Sequence, residues 1–124
     1  MKRGILIDSE NKIIKEVEVS NLNDMYKTMN VDLITVALYI DDNNLMYVDD
    51  EGLLKSPKHF FYFEGSYQPF AGNGLILGLD DNGEDVSTIY SIEEIKSKTQ
   101  FLSPKDALLK MEEIKASGLW DLKF

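Results

Sequence analysis

An α+β domain, with a mainly antiparallel sheet and two to three helices packed on it, is the fold class this sequence predicts. Three observations lead there. Short apolar segments are cut apart by Asp, Asn and Gly turns, stretches with helical spacing follow Ser or Asn caps, and no internal repeat or low-complexity linker interrupts them. At 124 residues, 44% of them apolar, the chain has the size of one ordinary domain and enough apolar material to bury a core without staples. We expect residues 1–100 to form the α+β core and 101–124 to supply a C-terminal helix, packed on that core or available to a partner.

The elements follow in order. Gly4 to Ile7 and Ile13 to Val19 flank Ser9-Glu10-Asn11 and read as a hairpin; Ile13, Val17 and Val19 alternate with Glu16 and Glu18, which gives it one wet face. Ser20 or Asn21 caps a helix in which Leu22, Met25, Tyr26 and Met29 form one apolar stripe. Val31 to Ile40 is apolar at both parities, the pattern of a strand covered on both faces, and is expected at the centre of the sheet. Asp41-Asp42-Asn43-Asn44 is turn chemistry, because Asn and Asp bond their own main chain, and Leu45 to Val48 returns as the second arm of a hairpin. Asp49-Asp50-Glu51-Gly52 ends that arm, and Leu53 to Pro57 leads into the aromatic run from His59. Leu75 to Leu79 is a further strand between Gly72-Asn73-Gly74 and Asp80-Asp81-Asn82-Gly83. Ser91 with Glu94 matches a capping box for a short helix ending near Lys98. Ser103, Pro104 and Asp106 open a last helix with Ala107, Leu108, Met111 and Ile114 inward and Gly118 as its stop; Leu119 and Trp120 are expected to fold back on it.

Charge is the most informative feature for function. The formal net charge is −9, yet the segments Asp41 to Glu51 and Asp80 to Glu94 contain eleven acids and not one Lys or Arg. The remaining eleven acids stand against 13 basic groups, so these two stretches carry the whole imbalance. An acidic surface with a sequence pI near 4.5 repels phosphate backbones and disfavours direct nucleic-acid binding. Arg3 is the only arginine, which leaves twelve Lys as point charges in place of bidentate anion clamps. The absence of cysteine excludes a disulfide framework, a thiolate metal site and a thiol nucleophile. No apolar run approaches the roughly 20 residues that span a bilayer, and Asp8 interrupts the N-terminal apolar stretch before it makes a signal-peptide core. A cytoplasmic location in a bacterial host, with no membrane partner, is the expectation.

Several of these segments together resemble a known family. An N-terminal hairpin, a helix over Asn21 to Met29, the run Tyr47-Val48-Asp49-Asp50-Glu51-Gly52-Leu53-Leu54-Lys55, the strand after Gly72-Asn73-Gly74, and Asp80-Asp81-Asn82-Gly83-Glu84 are similar to a domain-of-unknown-function family. That family is encoded mainly by bacteriophages, plasmids and the bacteria carrying them. The resemblance covers residues 1–97. Where the family carries a Pro-Asn pair after the Leu-Lys step, this chain has Ser56-Pro57-Lys58-His59. The resemblance implies no catalytic residues; it implies a small phage-type accessory protein that acts by binding a host protein.

Catalytic and metal chemistry find little support. His59 is the only histidine, so neither a multi-histidine metal site nor a second imidazole base exists, and no serine has the glycines of a nucleophile elbow. The glycines from Gly72 to Gly78 precede a strand, whereas a phosphate-cradling loop follows a strand and opens a helix, so a turn is the reading. Asp80 to Asp85 offers oxygen ligands without the spacing or distal Glu of an EF-hand. No catalytic residue, cofactor or metal is therefore assigned.

Phe60, Phe61, Tyr62, Phe63, Tyr67 and Phe70 gather six of the 13 aromatic residues. Neighbours on an extended chain point to opposite sides, so Phe61 and Phe63 filling the core would leave Phe60 and Tyr62 to cover another element; the alternative is an exposed aromatic patch rimmed by charge, the composition of an interface. The sequence thus favours a small acidic, non-enzymatic protein that binds and modulates or inhibits a host protein with a basic surface. Asp41, Asp42, Asp49, Asp50, Glu51, Asp80, Asp81, Glu84 and Asp85 would imitate a phosphate array, with Phe60, Tyr62 and Tyr67 as apolar anchors. Homo-oligomerisation stays open. The alternative is a nucleotide-type ligand binder in which those aromatics stack a base and Lys55 or Lys58 meets a phosphate. A metal-dependent carboxylate hydrolase ranks third.

Overall fold

The computed structural model describes residues 1–117, and within them the chain is α+β. Its strands are β1 (Lys2–Asp8), β2 (Ile13–Val19), β3 (Ile34–Asp41), β4 (Asn44–Asp49), β5 (Phe60–Phe63), β6 (Phe70–Ala71), β7 (Asn73–Leu79), β8 (Asp85–Val86) and β9 (Thr99–Leu102). Three helices, α1 (Leu22–Met29), α2 (Ile92–Lys98) and α3 (Pro104–Ala116), and a 3-10 turn at Gly52–Lys55 complete it. The larger sheet runs β2-β1-β7-β4-β3 with β8 also paired to β7; the smaller runs β6-β5-β9, and every pairing is antiparallel.

The larger sheet is covered on both faces near its centre. On one side Ile5, Ile7, Ile14, Met46, Val48 and Ile76 meet Phe61, Phe63 and Phe70 of the smaller sheet and Ile95 of α2. Phe61 and Phe70 pack as a tilted pair, with centroids 5.8 Å apart and planes at 47°. On the other side Leu6, Val19, Leu75 and Leu77 meet Met25 and Met29 of α1. Each such side chain, fully removed from water, contributes about 1.5–3 kcal/mol to the gross burial term.

Local signals set the helix ends. The Asn21 side chain accepts from the Asp24 amide to start α1, and Asn30 in the left-handed region closes it. Ser91 and Glu94 exchange both bonds of a capping box on α2, and Ser103 accepts from the Asp106 amide before Pro104 opens α3.

Three expectations need correction. The central strand is β7, and β3 lies at the edge, with Val36 and Tyr39 38% and 62% exposed. Both strands are apolar at both parities, but α1 packs over β2 and β7, and beyond Ile34, which reaches the α1-side core, Val36 and Tyr39 of β3 are left exposed; the pattern alone does not say where a helix lands. In β2, Ile14 and Val19 are buried while Ile13 is exposed, so its apolar residues serve both cores. In α3 the inward stripe is Ala107, Met111 and Ile114; Leu108, one residue round the helix, is 69% exposed. The expectations for Gly118, Leu119 and Trp120 lie outside the described residues. Residue 100 falls inside β9, which pairs with β5 along its length, and α3 packs on β5 and β9.

Close approach at β7 depends on glycine. A Cβ on Gly74 would lie 2.7 Å from Phe61 Cζ and 3.3 Å from Met46 Sδ, and one on Gly78 would collide with the Ser87 carbonyl oxygen. The missing side chain lets the Phe61 ring sit directly on the sheet. Gly74→Ala is expected to destabilise the fold by about 1–3 kcal/mol in urea denaturation, the usual range for overpacking a well-filled core; an unchanged midpoint would mean the ring has room to move.

Candidate functional site

Two acidic turns form the site that the sequence picks out. The β3–β4 hairpin turns through Asp42 and Asn43, with Asp41 paired opposite Asn44. The β7–β8 hairpin turns from Asp80 to Glu84, with Leu79 paired opposite Asp85. Because β4 and β7 are neighbours and Asn44 pairs with Gly78, both turns lie at the same end of the sheet. The Leu79 amide donates to the Asn43 carbonyl at 2.7 Å and fuses them.

Not every carboxylate there is free to meet a partner. Asp80 Oδ1 accepts from the amides of Asn82 and Glu84, both at 2.9 Å, and so holds its own turn. Asp41 accepts from the Asn43 amide at 2.8 Å, from Asn44 Nδ2 at 3.0 Å and from the Tyr90 hydroxyl at 2.6 Å. Asn44 in turn accepts from the Thr88 hydroxyl at 2.7 Å, and the Tyr90 amide donates to that same hydroxyl, which closes a ring of bonds. Tyr47 donates to Asp85 at 2.7 Å. Asp42, Asp81 and Glu84 are exposed. Among the described residues none of these six acids takes part in an ion pair. Arg3, at the start of β1, is spent elsewhere: its guanidinium donates to the carbonyls of Thr88 and Tyr90 and pairs with Glu16.

The Tyr90, Thr88, Asn44 and Arg3 bracket was not foreseen from the sequence. Its partners are 44 to 87 residues apart, and no local pattern marks them.

The other predicted residues lie elsewhere. Asp49 is the last residue of β4, at its far end, with Asp50 and Glu51 just beyond, and Asp49, pairing with Lys55 at 2.9 Å and accepting from the Glu51 amide, is mainly a bracket for the 3-10 turn. That contact with Asp49 raises the Lys55 ammonium above its ordinary range. Phe60, Tyr62 and Tyr67 are half-buried and do not make an open aromatic patch. Tyr62 donates to the Ser66 carbonyl and lies under the Lys110 ammonium, 4.7 Å from the ring centroid. Tyr67 lines a cleft of about 470 Å³ whose only charged lining residues are Asp49 and Asp50. A second cleft, about 340 Å³, lies between Asn30, Asn73 and the loop carrying Lys55, Lys58 and His59. Among the described residues no three His, Asp or Glu side chains gather as a metal site, and no helix is long and apolar enough to cross a membrane.

The Tyr90–Asp41 bond has a pH signature. It holds the Asp41 carboxyl below the ordinary range, and with partial burial it pushes the Tyr90 phenol up to about 12. An unfolded tyrosine ionises near pH 10, so the stability from Tyr90 is complete below about 10 and is lost as pH rises towards about 12. Asp41 contributes fully above its unfolded value of about 3.9, and its share is lost as pH falls through the lower folded value. In Tyr90→Phe, NMR titration should show the Asp41 carboxyl midpoint moving up, and alkaline denaturation should lose the part belonging to Tyr90. An unmoved Asp41 midpoint would assign its depression to the turn amides alone.

No curated protein and no solved structure matches the chain. The family described as "Domain of unknown function (DUF3846)" matches residues 1–100, and a match over most of the 124 residues places the chain in that family.

Proposed function

We propose that this protein is a non-enzymatic, phage-type accessory protein that binds a basic surface on a bacterial host protein and modulates or inhibits it. The observation that supports this best is the backbone bond from Leu79 to Asn43, which sets the two acidic turns side by side as one negative pole. Turns whose backbone is already bonded in place need little reordering when a cationic partner arrives, and a pole of one sign steers that partner during diffusion. Asp42, Asp81 and Glu84 are the pole's outward contacts, while Asp41, Asp80 and Asp85 hold its shape. A rigid anionic end is also how a protein would occupy a site built for phosphates.

The ligand-binding alternative has one feature in its favour, the cleft bearing Lys58 and His59. The aromatics that would stack a base do not line it, and its Lys55 is already paired with Asp49. The protein-binding reading therefore takes precedence.

Affinity capture from bacterial lysate, repeated at low and high salt, tests it. The bound protein should be basic, and retention should fall steeply as the Debye length shrinks from about 10 Å at 0.1 M to about 3 Å at 1 M. The combined variant Asp42→Asn, Asp81→Asn, Glu84→Gln should fold normally, since all three side chains are exposed, and lose most of the capture. Retention that ignores both salt and this variant would refute the proposal.

A further inference from the structure

The sandwich is open along one side. There β3, the last strand of the larger sheet, and β6, the last strand of the smaller, both stop without a partner on their outer edge among the described residues. Between them runs the 470 Å³ cleft, floored by the core residues Val48 and Phe70 and walled by Thr35, Val36, Leu54 and Tyr67. An unpaired strand presents a row of backbone N–H and C=O groups, and sheets normally guard such edges with charge, proline or cover.

The two edges of the larger sheet differ in this respect. β2 carries Lys15, Glu16 and Glu18 exposed along its length and touches α1 and α2. β3 has no charged residue between Asp32 and Asp41, and Thr35, Val36 and Tyr39 are exposed on it.

Charge then selects the occupant. From Val31 to Leu54 the chain has six acids and no Lys, Arg or His; Lys55, which follows, is held by Asp49 and offsets one of them, so both ends of β3 keep a negative balance. Asp50, whose amide donates to the Leu33 carbonyl, sits with Asp32 at the start of β3, and Asp41 and Asp42 stand at its end. A second copy pairing antiparallel along this edge would set Asp41 and Asp42 against Asp32 and Asp50 of its mate, like charge against like. An extended segment with cationic flanks meets the opposite sign at both ends.

We propose that β3 is a docking edge for an extended partner segment with alternating apolar residues and Lys or Arg flanks, which adds as a further strand and sends one row of side chains into the cleft. Main-chain pairing supplies affinity, and the cleft and terminal acids supply selectivity. This rests on the reading of the protein as a binder of basic proteins and assigns a face to it.

The test uses synthetic peptides as long as β3, of alternating Val and Thr, flanked by Lys, flanked by Glu, or Lys-flanked with alternate backbone N-methylation. The full chain should bind the Lys-flanked peptide with new hydrogen-exchange protection at alternate amides of residues 34–41. Glu flanks should abolish binding, and N-methylation or the pair Val36→Lys, Tyr39→Lys should weaken it by about tenfold or more, with thermal unfolding unchanged. No binding of the Lys-flanked peptide, equal binding of the N-methylated one, or protection confined to the turns at Asp42 and Asp81 would overturn the edge. Self-association lost in the β3 variant would likewise assign the edge to a second copy and overturn it. If partner capture survives in the β3 variant but not in the Asp42, Asp81, Glu84 variant, the edge fails and the function stands; if the peptide adds to β3 while no salt-sensitive partner exists, the function fails and the edge stands.

Discussion

Burial of β7 on both faces is the constraint on which the domain depends. Leu75 and Leu77 point to α1 and Ile76 to the smaller sheet, so this strand, like β1 beside it, belongs to both cores. Its neighbours β1 and β4 take their register from it, and Gly74 lets the Phe61 ring lie close enough to seal the sandwich. The acidic pole is a consequence of that arrangement. The turns at Asp42 and Asp80 adjoin because β4 and β7 pair in the register Asn44 to Gly78; a one-residue slip would turn the apolar rows of β4 away from their cores.

The same register explains why the charge is ordered. Of the six carboxylates at that end, three accept hydrogen bonds that define the turns or tie them to Tyr47 and Tyr90, and three face outward. Negative charge is costly to gather, and here backbone amides and phenols, not lysines, stabilise it. The pole thereby keeps its field instead of being neutralised from within. Burial and the Asp85 contact raise the Tyr47 phenol far above its ordinary range, so that donor stays protonated at any physiological pH.

Much of this was legible in the sequence. Turn residues and caps are local chemistry, which is why Asp41 to Asn44, Asp80 to Glu84, Ser91 with Glu94 and Ser103 with Pro104 stand where expected. Strand order is not local. Val31 to Ile40 and Leu75 to Leu79 have the same two-sided apolar pattern, and only the pairing of β7 with both β1 and β4 decides which is central. The long-range bracket from Arg3 and Tyr90 was silent for the same reason, whereas the hairpin reading of Leu45 to Val48 already sets Asp49, Asp50 and Glu51 at the other end of β4 from Asp41 and Asp42. Parity, a local rule, sorted the aromatic run correctly: Phe61 and Phe63 face the core while Phe60 and Tyr62 are half-buried on the other side.

If charge at this end and the open edge beside it are what the protein uses, a complex should leave its footprint there and nowhere else. Hydrogen-exchange mapping of the chain with and without its captured partner tests this most directly. Exchange should slow at the turns around Asp42 and Asp81 and along 34–41, with α2 and the loop bearing Lys58 and His59 unchanged. Protection centred on that loop or on α2, with the acidic turns exchanging as in the free protein, would contradict it.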